Sequence, residues 1–171
     1  AAKDYGETLK LELTSEAVIN EACKNSRLQD FGDEDFISRL DVLMRSISND
    51  EGLAGIGKLG IFNDQVRYLE NRLKFEKFKK EFPEYQEEII SKPIIIIGLP
   101  RSGTTHLLNL IASDSRLKSI PYWQSLRPFQ EKLLDLDNEK DSRQEEAFKE
   151  YESFLQTMPL LKSMHDMHPN H

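Results

Sequence analysis

Cysteine is almost missing from this chain of 171 residues: Cys23 stands alone, so no disulfide can close within it. A reducing compartment is the simpler setting, and Cys23 itself reads as helix packing. Basic residues are in deficit, 23 against 30 acidic, for a formal net charge of −7. That balance argues against a broad surface for nucleic acid or anionic membrane, so any anion site must be local. No apolar run approaches the roughly eighteen residues of a membrane span, and no signal-peptide pattern opens the sequence. Cytoplasmic placement is therefore the expectation. Repeats and low-complexity tracts are absent as well, which excludes solenoid and linker-like architectures.

The first ninety residues carry helical patterns. Thr14 or Ser15 can cap a short helix bearing Ala17, Val18 and Ala22, and Asp33 can cap a second in which Phe36, Leu40, Leu43 and Ile47 share a stripe. Gly52, Gly55, Gly57 and Gly60 follow closely, and their spacing matches no phosphate-binding fingerprint. A flexible connection or close helix packing is expected there. From Phe62 to Phe82 a longer helix presents Phe62, Val66, Leu69 and Leu73, then a shifted stripe at Phe75, Phe78 and Phe82, before Pro83 stops it. Its Lys74, Lys77, Lys79 and Lys80 read as a solvated basic end. A short acidic helix through Glu84 to Ile90 is expected next.

The pattern changes at Lys92. Four consecutive isoleucines, Ile94 to Ile97, are β-branched and apolar on both faces, as a buried strand of a parallel sheet requires. Gly98 and Gly103 bound a turn, and Leu107, Leu108 and Ile111 follow at helical spacing to pack back onto that sheet. Backbone N–H groups converging at such a strand-to-helix turn hold an anion. The glycine spacing is that of the nucleotide-binding loop G-x-x-x-x-G-K-[ST], with Thr105 in the hydroxyl slot, but the lysine slot holds Thr104. Such a loop is poorly equipped for a Mg²⁺-bound triphosphate. The cation has moved to Arg101, whose guanidinium can make two parallel bonds to a phosphate or sulfate.

The run Gly98-Leu99-Pro100-Arg101-Ser102-Gly103-Thr104-Thr105 closely resembles the 5′-phosphosulfate-binding loop of sulfotransferases that use 3′-phosphoadenosine 5′-phosphosulfate (PAPS). The likeness continues through residues 107–114 and the later Pro121-Tyr122-Trp123-Gln124-Ser125-Leu126-Arg127-Pro128, and is greatest to the bacterial-type branch with its helical N-terminal region. It implies an α/β fold: a P-loop-like three-layer arrangement with a parallel sheet over residues 92–171, preceded by a helical region over 1–91. The family's second cofactor element, an arginine and serine for the 3′-phosphate, is not found, so the expectation is an incomplete domain. The resemblance implies PAPS as donor, held by Pro100, Arg101, Ser102, Gly103, Thr104 and Thr105, with Arg101 also catalytic and no metal required. It implies a small-molecule, lipid or carbohydrate acceptor. In the family the segment after the loop helix lines the acceptor side, where Tyr122 and Trp123 can stack on a ligand and Arg127 can meet an acidic group. Packing of the two aromatics under a loop, with Arg127 in solvent, is the plainer reading.

Arg116 to Ile120 is short enough to be a second strand, and a last helix carries Ala147, Tyr151, Phe154 and Met158 at helical spacing. Three of the four histidines close the chain. Transfer to a hydroxyl needs a base, and Leu161-Lys162-Ser163-Met164-His165 resembles the histidine segment of cytosolic sulfotransferases, which nominates His165, with His168 behind it. His165, His168 and His171 also form a three-histidine spacing suited to zinc, but Pro169 interrupts it and no cysteine is near. Two other classes stay open: an ATP- or GTP-using kinase or hydrolase with a degenerate loop, and a non-catalytic nucleotide-binding module.

Overall fold

The computed structural model describes residues 12–99, 101–129, 141–158 and 160. Thr14, in an extended conformation, accepts a hydrogen bond from the Ala17 amide at 3.1 Å and starts helix α1 (Ser15–Ser26). Left-handed Arg27 ends it, returning its N–H to the Cys23 carbonyl at 2.8 Å. Helix α2 (Phe36–Asn49) follows an aspartate-rich turn in which Asp33 accepts from the Asp35 amide, and Asp35, not Asp33, occupies the cap position. Its buried stripe is Leu40, Met44 and Ile47. Leu43, expected in that stripe, is exposed, because the face that packs runs through the i, i+4, i+7 positions starting from Leu40.

Helix α3 is long, Gly55–Glu81. It starts inside the glycine-rich stretch, so residues 55–60 are helix and not a flexible connection. Gly57 is there for proximity: a Cβ on it would lie 3.0 Å from Leu53 Cδ1. Phe62, Val66, Leu69 and Leu73 recur along one stripe and are buried against Val18 and Ala22 of α1 and the stripe of α2. Leu73 and Met44 are each 1% exposed and Val18 is fully buried. Each such side chain contributes about 1.5–3 kcal/mol relative to leaving it in water. Half-buried Cys23 packs on this core, and burial pushes its thiol pKa up.

Directional bonds hold the α1–α2 turn to α3. Arg72 donates from Nε to the Phe31 carbonyl at 2.7 Å and from Nη2 to the Asp33 carbonyl, while its guanidinium lies 4.7 Å from the Phe36 ring centroid. Gly32 is left-handed at φ 67°, and a Cβ there would meet the Glu76 carboxylate at 2.6 Å. Lys80 pairs with Asp30, Lys79 with Glu76 and Lys77 with Glu81, so three of the four lysines of the basic end make ion pairs. Beyond Glu81, Pro83 opens a 3-10 helix (Pro83–Glu87) that takes the place of the expected acidic helix. Phe75, Phe78, Phe82 and Tyr85 gather there, with ring centroids 5.2–6.2 Å apart.

The chain divides into two units, Ala1–Glu88 and Ile89–His171. Among the described residues of the second, only helices are assigned: α4 (Thr104–Ala112), α5 (Tyr122–Leu126) and α6 (Ser142–Thr157). No strand occurs among the described residues, and the isoleucine run is not buried: Ile94 is 61% exposed, Ile95 74% and Ile97 90%. A strand apolar on both faces needs a ladder at its edges and a layer on each face. The described residues supply neither, and for the same reason Leu107 and Leu108 of α4 lie exposed. Arg116 to Ile120 is likewise no strand: Arg116 turns back onto Asp114 with a forked ion pair at 2.6–3.2 Å, which lowers the Asp114 pKa. Along α6, Ala147 is buried, Tyr151 is half-buried, and Phe154 and Met158 are exposed. Among the described residues no helix is long and apolar enough to cross a membrane.

Candidate anion-binding loop

Between the isoleucine run and α4 the backbone turns sharply. The Ser102 amide and hydroxyl both donate to the Leu99 carbonyl, at 3.2 and 2.6 Å, closing a turn over residues 99–102. Arg101 is left-handed at φ 67° and Gly103 at φ 90°. The glycine adopts that conformation without penalty, whereas a side-chain-bearing residue pays roughly 1–2 kcal/mol, so the loop stores strain at its one cation. Gly98 is required for another reason. A Cβ on it would lie 2.6 Å from Ser102 Oγ and 2.7 Å from Thr104 Cγ2, so the hydroxyl residues of the turn fold directly over its α-carbon.

Helix α4 begins at Thr104 with Gly103 as its cap, and no side chain caps its first turn. Its first internal bond runs from the Leu107 amide to the Gly103 carbonyl at 3.0 Å. The amides of Thr104, Thr105 and His106 therefore sit in the first turn, at the positive end of the helix dipole. Arg101, Ser102 and Gly103 are exposed, Thr104 and Thr105 half-buried. The structure thus brings Arg101, Ser102, Gly103, Thr104 and Thr105 into one turn. Pro100, His165 and His168 lie outside the described residues.

Residues 93–170 match the model of the sulfotransferase family. The loop and helix just described fall inside that matched segment. The chain also shares its fold with two solved sulfotransferases. STF9 from Mycobacterium avium is 20% identical, with a TM-score of 0.70, over 88% of this chain and 38% of its own. STF1 from Mycobacterium tuberculosis H37Rv is 24% identical, with a TM-score of 0.70, over 85% of this chain and 40% of its own. The chain thus spans about two fifths of the length of these sulfotransferases. A search of curated protein sequences finds no match.

Past the loop, the structure gives the aromatic and arginine residues partners within the chain. Arg127 pairs through Nε with Glu146 at 3.3 Å and through Nη2 with Glu150, both on α6. Its side chain is accordingly mostly covered, not in solvent as the plainer sequence reading had it. Trp123 lies under the guanidinium of Arg143, 4.9 Å from its ring centroid. Sequence reasoning missed Arg143. The available signal was Asp141 two residues earlier, which caps α6 by accepting from the Arg143 amide at 3.0 Å.

Proposed function

We propose that the protein is a PAPS-dependent sulfotransferase, moving a sulfuryl group to the hydroxyl, or amine, of a small-molecule, lipid or carbohydrate acceptor. The observation that carries the reading is the turn over residues 98–105: a glycine under two hydroxyl residues, a left-handed arginine, and an uncapped helix start with threonine where a nucleotide-triphosphate loop has lysine. On this reading residues 1–91 are the helical N-terminal region. Residues 92–171 belong to the α/β part, with the isoleucine run as a strand of its parallel sheet.

The residues fit the 5′-phosphosulfate end of PAPS. An oxyanion near the loop meets N–H donors of the first helical turn, and Arg101 supplies a planar fork for two oxygens. Pro100 belongs to the cofactor-binding run by resemblance, and the Ser102, Thr104 and Thr105 hydroxyls add neutral donors. When bound, PAPS supplies an activated sulfuryl group on a phosphate. Arg101 and the helix-start amides then stabilise the negative charge that builds on the leaving oxygen, as preorganised donors do in phosphoryl transfer. His165 is the proposed proton acceptor for the attacking hydroxyl, and His168 the next in line. On this reading the backbone donors and the Arg101 guanidinium hold the anion, and no divalent ion is required.

Calorimetry of the full chain with 3′,5′-ADP and with ATP·Mg²⁺ tests the reading. Tighter binding of 3′,5′-ADP is expected. Preference for ATP·Mg²⁺ would favour a kinase-like nucleotide site, and binding of neither would refute a nucleotide site at this loop.

A further inference from the structure

Helix α5 has five residues and no core of its own, and among the described residues of the second unit the only buried apolar side chain is Ala147. Trp123 and Leu126 are half-buried, and directional polar contacts add to the packing of residues 121–128. Arg143, with its side chain 12% exposed, reaches from the first turn of α6 and donates through Nη1 to the carbonyls of Arg127 and Pro128, both at 2.9 Å. Its Nε and Nη2 engage the Asp141 carboxylate at 2.9 and 2.6 Å, and its flat face covers the Trp123 indole at 4.9 Å. In the opposite direction Arg127 reaches back to Glu146 and Glu150.

The two arginines are not equivalent. Arg127 forks onto Glu150 through Nη1 and Nη2 and reaches Glu146 through Nε, and both of these carboxylates are exposed. Arg143 occupies its fork, its remaining nitrogen and its face at once, and two of its contacts are to backbone carbonyls just past the end of a helix. A guanidinium can do this because it is planar with five donors in fixed directions; an ammonium cannot.

We propose that Arg143 is a positioning residue for the acceptor side of the site: it orients the Trp123 ring and residues 121–128, against which the acceptor lies. The inference rests on the sulfotransferase reading and on the placement of the acceptor beside that segment. Arg143 touches neither donor nor acceptor.

The experiment uses the full chain as wild type, Arg143→Ala and Arg143→Lys. Trp123 is the only tryptophan, so fluorescence reports its surroundings directly. In Arg143→Ala the emission shifts to the red and acrylamide quenching rises, while 3′,5′-ADP affinity, set by the loop, stays as in wild type. With PAPS and the best turned-over of a phenol, an aliphatic alcohol and a hexose, the acceptor KM rises by about tenfold, and kcat falls less than KM rises. Arg143→Lys is intermediate in emission and KM, because it keeps the charge and loses the fork. An acceptor KM unmoved in Arg143→Ala overturns the inference. So does loss of 3′,5′-ADP affinity in step with the KM change, which marks general damage, or a wild type that binds 3′,5′-ADP and turns over none of the three acceptors. A wild type that fails to bind 3′,5′-ADP refutes the sulfotransferase reading itself, a result distinct from these.

Discussion

Adding one methyl group at Gly98 tests whether the loop works by shape. In Gly98→Ala the new Cβ sits about 0.7–0.8 Å inside ordinary contact distance of both Ser102 Oγ and Thr104 Cγ2. The two neighbours respond differently. The Ser102 hydroxyl can rotate away at the cost of its bond to the Leu99 carbonyl, whereas Thr104 is β-branched, so clearing its methyl takes a change of rotamer or a movement of the backbone. The expected response is a shift of the start of α4 by a few tenths of an ångström, taking its first amides with it. Since a misplacement of about 1 Å costs on the order of a hundredfold in a preorganised site, the partial shift here should cost about tenfold in affinity for 3′,5′-ADP, or about 1.4 kcal/mol. The assay is titration calorimetry beside a thermal melt. The melt should move little, because the loop is exposed and the core of the first unit does not involve it. Adding Thr104→Ser removes the obstructing methyl, keeps the hydroxyl and should restore most of the affinity. Wild-type affinity in Gly98→Ala, or no recovery in the double variant, would refute the reasoning.

Arg101→Ala should lower turnover by about a hundredfold or more, with a smaller effect on 3′,5′-ADP binding, if the guanidinium acts mainly on charge developed in the transition state; a raised KM with intact kcat would show ground-state binding alone. Leu73→Ala, at a position 1% exposed in the middle of the three-helix core, should destabilise the chain by about 2–5 kcal/mol in urea unfolding. The hydrogen bond from Lys80, then the Gly32 amide, then the Lys80 charge hold the Asp30 pKa below its ordinary 3.8. The contribution of that pair is therefore present above pH 3.8 and is lost as the pH falls through the folded-state value. Urea midpoints of wild type and Asp30→Asn should differ near neutral pH and converge in acid; a constant difference down to the acid limit would show that the pair does not link protons to folding.

The comparison of sequence with structure divides along physical lines. Local rules fixed α1 and the stripe of α3, because a capping threonine and apolar residues at helical spacing act within one or two turns: Thr14, Val18, Ala22, Phe62, Val66, Leu69 and Leu73 stand where their spacing placed them. The loop was legible for the same reason, its two glycines being backbone requirements of a single turn, while Arg101 stands there against its backbone preference. Choices between neighbouring faces were not legible. Met44 displaced Leu43 because the direction from which α1 and α3 arrive decides which stripe of α2 is covered. The glycines at 55, 57 and 60 joined a helix since burial of the stripe from Phe62 to Leu73 outweighed their propensity. Local pattern also could not say whether the isoleucine run finds sheet partners, since a strand is completed by residues distant in sequence, and the described residues hold none. Arg127 and Arg143 mark the same limit. Their charge is plain in the sequence, but only the tertiary structure, by bringing α6 alongside residues 121–128, decided that both would brace that segment, because a hydrogen bond or ion pair between distant residues exists only where folding has brought its partners together.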